Sequence, residues 1–472
     1  FAYVGSAASI IHGSTLNSAI PMKVWYTKAE FEKAIAQVDR RIQAAVRKYL
    51  SKSLSESDPI RKTIELWRGL DAIIIDEIST CSPDVFYALH VVANACRYGM
   101  PRHRLSSPIL GGLQCILVGD MCQLAPIPLP EHNPNLKPQE KQYVFQGYTG
   151  TTKKASRHIW AMLNLNIKTL RHVFRQDGDN LFLRILDNVR KGQYLPWNKK
   201  DAVTKGTEDF EEPEYGPHWT AEEKNGLRQR IGKPVLDSDG NTVECAKLYC
   251  RNADCNAEND SRIDQLPGKP VHQSAKIKVK DGARGTVELD PETLTREKVI
   301  SQRFTTKVTE ELLRLVTNKK HERHLWSRRL KVGALVVLTQ NTDFALGLVN
   351  GSVGTILSLD KNKAEVRFKG GVHTIERRVF KATFGKDRWV GVEQMPLWCC
   401  WAMTVHRSQG MTLDAVEIKM EWRMDYGQAY TALSRVRNLN SLTLKMDGSF
   451  DDVMSNCIRT HPAVHAFNTM HV

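Results

Sequence analysis

Nowhere in the 472 residues does an apolar run approach the ~20 residues needed for a helix to cross a bilayer, which argues against a helical membrane protein. A cysteine framework is lacking as well. The ten cysteines form no C-x-x-C pair, and Cys399 and Cys400 are adjacent, a usage that suits a reducing compartment better than a disulfide scaffold. Cys245, Cys250 and Cys255 recur every five residues. Zinc sites usually pair their cysteines as C-x-x-C and complete four ligands, and no fourth ligand stands at a suitable spacing, so no metal is expected there. No internal repeat is visible, so no repeat architecture is expected. The chain opens on Phe1 rather than Met, so neither a signal peptide nor a transit peptide can be judged, and the true N-terminus is expected upstream.

Acid is the other shortage. Lys and Arg number 67 against 52 Asp and Glu, a formal net charge of +15. An excess of that size points towards a polyanion, of which nucleic acid is the commonest. Hydrophobic content of 41% and charged content of 25% are those of an ordinary soluble globular protein. The length suggests two to four domains.

Residues 70–75 (LDAIII) form a short apolar run that ends in Asp76 and Glu77, as a strand buried on both faces of a parallel sheet would. Ser82-Pro83-Asp84 then opens a helix, with Ser82 as N-cap and Pro83 at the first helical position. Val85, Phe86, Leu89, Val92, Ala93 and Cys96 follow at helical spacing. A second buried strand, Leu113 to Val118, ends at Gly119-Asp120. Strand, helix, strand with acids at the strand ends is the pattern of an α/β sheet.

Residues 18–60, rich in Lys, Arg and Glu with helical periodicity, read as a helical insertion, and 128–150 as a loop. Lys168 to Arg190 reads as helix, and the polar stretch 197–243 as a loop-rich insertion or linker. From 330 to 392 the pattern turns β-branched (KVGALVVLT, GSVGTILSL, KAEVRFKG), with turns at Asn350-Gly351 and Gly370-Gly371. From 396 to 446 strand and helix alternate again.

Open α/β sheets bind ligands at the carboxyl ends of their strands. A nucleotide hydrolase needs one carboxylate there to hold Mg²⁺ and a neighbour to orient the attacking water, roles that suit Asp76 and Glu77. On the next strand end, Gln123 is a neutral donor and acceptor able to sense a terminal phosphate and its water. Arg175 in HVFRQ and Arg435 in GQAYTALSR qualify as charge stabilisers, although an arginine taken alone is usually a solvated surface charge. In WAMTVHRSQGMT (401–412), small and polar residues follow an apolar approach and present backbone amides and hydroxyls in a tight loop. That suits contact with a nucleic-acid backbone, although His406 could equally be structural.

These segments resemble one family. IIIDEIS, GGLQCILVGDMCQLAPI, VFRQDGD, LYCRNADCNAEN, GLVNGSVGTI, WAMTVHRSQGMTL and GQAYTALSR stand in the order, and near the spacing, of the PIF-type DNA helicases, relatives of RecD in helicase superfamily one. The resemblance runs from Gly5 to about Leu444, and TVHRSQG followed by YTALSR is its most specific part. It implies a motor that hydrolyses ATP with Mg²⁺ while moving 5′→3′ along single-stranded DNA. Position by position, Asp76 would hold the metal and Glu77 activate water, Gln123 would sense the γ-phosphate, and Arg175 and Arg435 would reach the nucleotide from a second lobe. Asp120 and Gln428, in the same motifs, are assigned to nucleotide binding. Thr404, His406, Ser408, Gln409 and Gly410 correspond to a loop coupling DNA to the ATP site, and Asn350-Gly351 to a turn beside a β-barrel insertion. Gly5 and Thr15 fall in the first DNA-contacting motif.

The chain departs from the family pattern in two places. In the first motif the usual Thr is Val4 and the usual His is Asn17. No G-x-x-x-x-G-K-[ST] occurs anywhere, so the phosphate cradle, its Lys and its Mg²⁺-binding hydroxyl are missing. The family places them just before the position of Phe1, so truncation is the expected cause, and residues 1–472 alone are expected to be inactive.

The expected fold is α/β: two RecA-like lobes of the P-loop NTPase type, with a β-rich barrel inserted in the second. The first lobe would span 1–160, with 18–60 as a wedge-like helical insertion. The second would span 161–265 and 394–472, around a barrel at 266–393. The expected partners are single-stranded DNA and forked or structured DNA, bound by a monomer in the nucleus or the mitochondrion. Two rivals stand beside this: a helicase-derived assembly module without turnover, and an RNA-directed motor.

Overall fold

The computed structural model describes residues 16, 20, 28–56, 58–99, 108–126, 143–147, 159–176, 178–192, 194, 219–283, 285–318, 326–343, 346–385, 387–422 and 424–471. The chain divides into two compact units. One comprises residues 1–250 and 404–472, and the other residues 251–403.

The first unit opens with helix α1 (Lys28–Leu50), which buries Phe31, Ile35, Ile42 and Val46 along one stripe, and α2 (Pro59–Gly69), which buries Ile60, Ile64 and Trp67. The Asp58 carboxylate caps α2 by accepting from the Ile60 amide at 2.9 Å, and Pro59 takes the position where a missing N–H costs nothing. Strand β1 (Ala72–Ile75) leads to α3 (Pro83–Tyr98), which Ser82 caps as the sequence predicts; Gly99 at φ 63° closes it. Every α3 residue from Pro83 to Cys96 is buried, which makes it the central helix of this core. Strand β2 (Gln114–Leu117) pairs parallel to β1 with Ile73 opposite Cys115.

Burial of this sheet differs from expectation. Ile73 and Ile75 face the core, whereas Ile74 and Ile116 are 50% and 45% exposed. An apolar run shows that a strand tolerates burial on both faces, but the cover has to come from other elements, and the described residues supply it on one face only.

A single turn α4 (Ile159–Met162) precedes a stretch without helix or strand, and helix α5 covers only Asn180–Lys191. The helix predicted over Lys168–Arg190 is therefore shorter. Asp179 accepts from the Phe182 amide at 2.9 Å and sets the start, just after Gly178 at φ 92°. The region read as a linker contains α6 (Ala221–Arg228), which begins in a capping box between Thr220 and Glu223. The signal T-x-x-E was present in the sequence. Glu223 is buried because it also accepts from Asn188 at 3.0 Å and pairs with Arg184. Strand β3 (Ala246–Tyr249) follows.

The second unit holds α7 (Asn252–Gln265), β4 (Val271–Ser274), β5 (Lys276–Asp281), β6 (Val287–Leu289), α8 (Arg296–Ser301) and α9 (Thr306–Asn318). It continues with β7 (Ser327–Leu330), β8 (Leu335–Leu338), β9 (Val353–Leu359), β10 (Lys363–Phe368), β11 (Gly371–Glu376), β12 (Arg378–Gly385), β13 (Arg388–Gln394) and β14 (Leu397–Cys399). Two antiparallel sheets run in the orders β11-β10-β9-β8-β14 and β12-β13-β5-β6, with β4 and β7 as a separate pair. Val336, Leu338, Ile356, Val366 and Leu397 fill the first core. Ile277, Val279 and Val390 pack with Val308 and Leu312 of α9 in the second. The β10–β11 hairpin pairs Phe368 with Gly371 across Lys369-Gly370, at the predicted glycine turn.

Back in the first unit, β15 (Val416–Met420), α10 (Gln428–Leu433), β16 (Leu442–Met446), α11 (Phe450–Cys457) and α12 (Pro462–His471) complete the chain. Strand β15 lies between β3 and β16, parallel to both. Helix α12 returns to the core of α3, burying Val464 and stacking Phe467 on Phe145 with ring centroids 4.5 Å apart.

Candidate active site

The acids at the end of β1 are held by backbone geometry before any side chain intervenes. The Val118 amide donates to the Ile75 carbonyl at 2.8 Å and the Ile78 amide to the Val118 carbonyl at 3.0 Å, so the ladder continues past both strands. Between these bonds Glu77 adopts φ 54°, a left-handed conformation that costs a non-glycine residue energy and recurs at functional sites. Its amide donates to Asp76 Oδ1 at 2.8 Å, and its carbonyl accepts from Thr80 Oγ1 at 2.8 Å. Directly after Glu77 the chain turns through the 3-10 segment Ile78–Thr80.

A residue 332 positions further along meets Glu77. Gln409 Nε2 donates to Glu77 Oε2 at 2.9 Å. Arg435 and Arg175 are the other charged groups acting on this carboxylate, with Asp76. Burial pushes the Glu77 carboxyl up and Asp76 adds to the rise, while Gln409, Arg435 and Arg175 pull against it; the net direction is upward. Arg435 is almost fully buried, and desolvation followed by the charge of Arg175 pushes it down to about 10. Arg175 is lowered chiefly by burial.

Both arginines are braced within the second half of the unit. Arg435 Nε donates to the Thr431 carbonyl at 2.7 Å and Nη2 to Ser434 Oγ at 2.8 Å, while Nη1 lies 3.4 Å from the carbonyls of Ser408 and Met411. Arg175 donates to Thr412 Oγ1 at 3.0 Å and to the Ser434 carbonyl at 2.9 Å. Its neighbour Gln176, not singled out in the sequence, is buried and donates to the carbonyls of Ser434 at 3.2 Å and Val436 at 2.7 Å. The pair Arg175-Gln176 thus pins its own turn to the end of α10.

Gln123 stands on the neighbouring turn. Its amide donates to the Asp120 carbonyl at 3.0 Å, and its side-chain Oε1 is buried with no hydrogen-bond partner among the described residues. A buried acceptor without a donor is costly, so this oxygen is suited to a water or ligand hydroxyl. Asp120 points elsewhere, to Arg190 of α5, with Oδ2 to Nε and Oδ1 to Nη2 both at 3.0 Å. Arg190 was missed in the sequence because nothing in VRKG marks it apart from any helix-terminal arginine. Gln428 is buried, and its Oε1 accepts from the Asp425 amide at 2.8 Å, closing the turn ahead of α10.

In the loop 404–410, Thr404, Ser408 and Gln409 are buried, His406 is half-buried and Arg407 exposed. Ser408 Oγ donates to the Val405 carbonyl at 2.8 Å, and Gly410 takes φ 76°. Asn350 and Gly351 belong to the other unit. There the Asn350 amide donates to Asn341 Oδ1 at 2.8 Å and the Gly351 amide to the Leu338 carbonyl at 2.9 Å, with Gly351 at φ 101°. Gly5 and Thr15 lie outside the described residues.

The described residues contain no group of three or more His, Cys, Asp and Glu placed to hold a metal ion. Asp76 alone at the strand end fits Mg²⁺, which usually takes one or two carboxylates together with substrate phosphates and water. A buried carboxylate with a raised pKa, two guanidiniums and an unsatisfied amide oxygen can together accept a proton from water and offset charge growing on a phosphoryl group.

Residues 323–359 match the family described as DNA helicase Pif1, 2B domain. The chain is 28% identical over 406 residues to the ATP-dependent DNA helicase PIF1 of Danio rerio, covering 82% of this chain and 50% of that protein. It spans about half the length of the curated relatives it matches first. The crystal structure of Pif1 helicase from Candida albicans superposes with a TM-score of 0.66 at 21% identity, covering 100% of this chain and 88% of that one. The Bacteroides Pif1 helicase in complex with ADP-AlF3 and single-stranded DNA gives 0.59 at 20%, covering 100% and 86%. Both likenesses bear on the α/β fold.

Proposed function

The chain belongs to the Pif1 helicase family, and from that premise we propose that it is the motor of an ATP-dependent 5′→3′ DNA helicase, translocating on single-stranded DNA and unwinding duplexes in genome maintenance. The observation that carries this is the bond from Gln409 to Glu77, which joins the strand-end acid of the first half to a loop of the second, beside Arg175 and Arg435. Residues 1–160 would form the first RecA-like lobe, with the helical segment 18–60 as its wedge. Residues 161–265 and 394–472 would form the second, and the β-rich unit its insertion.

When bound, Mg²⁺ and ATP would supply a polarised terminal phosphoryl group. Asp76 would hold the metal. Glu77 would orient a water and draw off its proton, a task that its raised pKa favours. Gln123 would accept from the same water through Oε1. Arg175 and Arg435 would offset the charge that spreads over the phosphoryl oxygens. Gln409 would report to Glu77 whether DNA occupies the loop 404–410, and Asn350-Gly351 would contact DNA from the β-rich unit. Asp120 and Gln428 would shape the nucleotide pocket by fixing the turns on either side of it. Hydrolysis would then let the halves part and close again, a hinge cycle that moves the strand. The phosphate cradle itself has no counterpart in these 472 residues. A monomer acting in the nucleus or the mitochondrion is the setting we propose.

The test is ATP hydrolysis, with and without single-stranded DNA, by the protein as its gene encodes it, alongside unwinding of a duplex with a 5′ tail. DNA-stimulated turnover that Glu77→Gln abolishes while DNA binding persists is the expected result. DNA binding without turnover would favour an assembly module instead, and stronger stimulation by RNA would favour an RNA motor.

A further inference from the structure

Arg190 occupies the last turn of α5, where a cation already suits the helix dipole. Its guanidinium nevertheless reaches to the opposite half of the unit and grips Asp120 at two points, each 3.0 Å long. Such a fork-to-carboxylate match fixes orientation as well as distance. The same carboxylate accepts from the Cys122 amide at 3.0 Å, and the Asp120 carbonyl accepts from the Gln123 amide at 3.0 Å. Whatever holds Asp120 therefore holds the turn that carries Gln123.

Two further elements of the second half touch the same turn. A Cβ on Gly427 would fall on the Gln123 carbonyl oxygen and 2.6 Å from that of Cys122, so the backbone ahead of α10 lies directly against it. Asn468 of α12 donates to Cys122 Sγ at 3.3 Å. Arg190 is itself anchored, since its carbonyl accepts from Thr460 Oγ1 at 2.9 Å. Among these contacts only the Arg190–Asp120 pair is ionic and bidentate, and the turn it fixes presents a buried Oε1 that lacks a donor among the described residues.

We propose that Arg190 is a positioning residue for Gln123: its two-point bond to Asp120 locks the Gly119–Gln123 turn to the second half of the unit, so that Gln123 presents its amide to the reacting water only while the halves are together. This rests on the site being one that hydrolyses ATP. On this assignment Arg190 acts through the turn, by way of Asp120.

The experiment is steady-state, DNA-stimulated ATP hydrolysis by the protein as its gene encodes it, comparing Arg190→Ala, Arg190→Lys, Gln123→Ala and the double variant Arg190→Ala/Gln123→Ala. Arg190→Ala should lower kcat by about tenfold or more while KM for ATP moves by less than about threefold, the mark of an interaction made in the transition state. Arg190→Lys keeps the charge but loses the fork, and should fall between the two. The double variant should be no slower than Gln123→Ala within about twofold, because residues acting as one unit are not additive. A parental kcat in Arg190→Ala, losses that multiply in the double variant, or a defect confined to KM would each overturn the assignment. If Arg190→Ala does not fold, Arg190→Lys alone and combined with Gln123→Ala must show the same split and the same non-additivity. A parent without DNA-stimulated turnover would instead sink the helicase reading, whereas an active parent, an impaired Gln123→Ala and an unimpaired Arg190→Ala would sink only this proposal.

Discussion

Replacing Gly427 with alanine tests whether the start of α10 sits on the Gln123 turn as described. Gly427 adopts φ 69° ahead of the helix, where an L-residue pays about 1–2 kcal/mol for left-handed backbone. The new Cβ would also stand 2.6 Å from the Cys122 carbonyl oxygen and 2.7 Å from the Gln123 carbonyl carbon, where ordinary contact begins at 3.4 Å. All of these atoms are backbone, so no side chain can rotate out of the way. Relief requires the turn and the helix to separate by close to 1 Å, and overpacking of this kind costs about 1–3 kcal/mol. Together the two effects predict a loss of about 3 kcal/mol, which for a unit of this size lowers the melting temperature by about 5–10 °C. Gly240 is the control. It has φ 81° with nothing within 4 Å of a built Cβ, so Gly240→Ala carries only the conformational cost, about 1–2 kcal/mol. Thermal and urea denaturation followed by circular dichroism measure both variants. Equal losses in the two would refute the close approach of α10 to the turn, and with it the structural basis for linking Gln123 to the second half.

Two other outcomes follow from the charges. Glu77 is held above its ordinary pKa by burial and by Asp76, against the pull of Gln409, Arg435 and Arg175. A carboxylate raised in the folded state gives its full stabilising contribution below the unfolded value of about 4.3, and loses it as pH rises through the folded value. Glu77→Gln does not titrate, so its melting temperature should gain on the parent as pH is raised from 4 to 8; a difference that stays flat or shrinks would show that Glu77 is not desolvated. For the phosphate track proposed from the +15 charge, affinity for single-stranded DNA should fall by roughly 0.7 log units per phosphate contact for each decade of salt, with little dependence on base sequence. Fluorescence anisotropy across a salt series checks this, and a flat response would rule the track out.

The local features were written in short range and could be read there. Ser82-Pro83 opens α3 because a hydroxyl cap and a fixed φ act within a few residues. The apolar runs at 72–75 and 114–117 became parallel strands with Asp76, Glu77 and Gly119-Asp120 at their ends, because strand periodicity and β-branching are local properties. Motif order in the sequence was enough to gather Glu77, Gln123, Arg175 and Arg435 as one candidate set.

Tertiary structure decided what those residues touch. The sequence places Gln409 in a loop suited to DNA, yet its amide reaches Glu77 across 332 positions, which no spacing rule can show. Arg190 and Asp120 are 70 residues apart and look like a helix-end charge and a turn acid until the fold brings them within 3.0 Å. The helix read over Lys168–Arg190 shrank because Arg175 and Gln176 found carbonyls at the end of α10, more than 250 residues away, and sit there in a turn rather than in a helix. Sequence fixes the chemistry each side chain can perform and the local shape of its backbone. Partnership between distant groups is set by how helices and sheets pack, since hydrogen bonds and ion pairs act over a few ångströms and carry no record of separation along the chain.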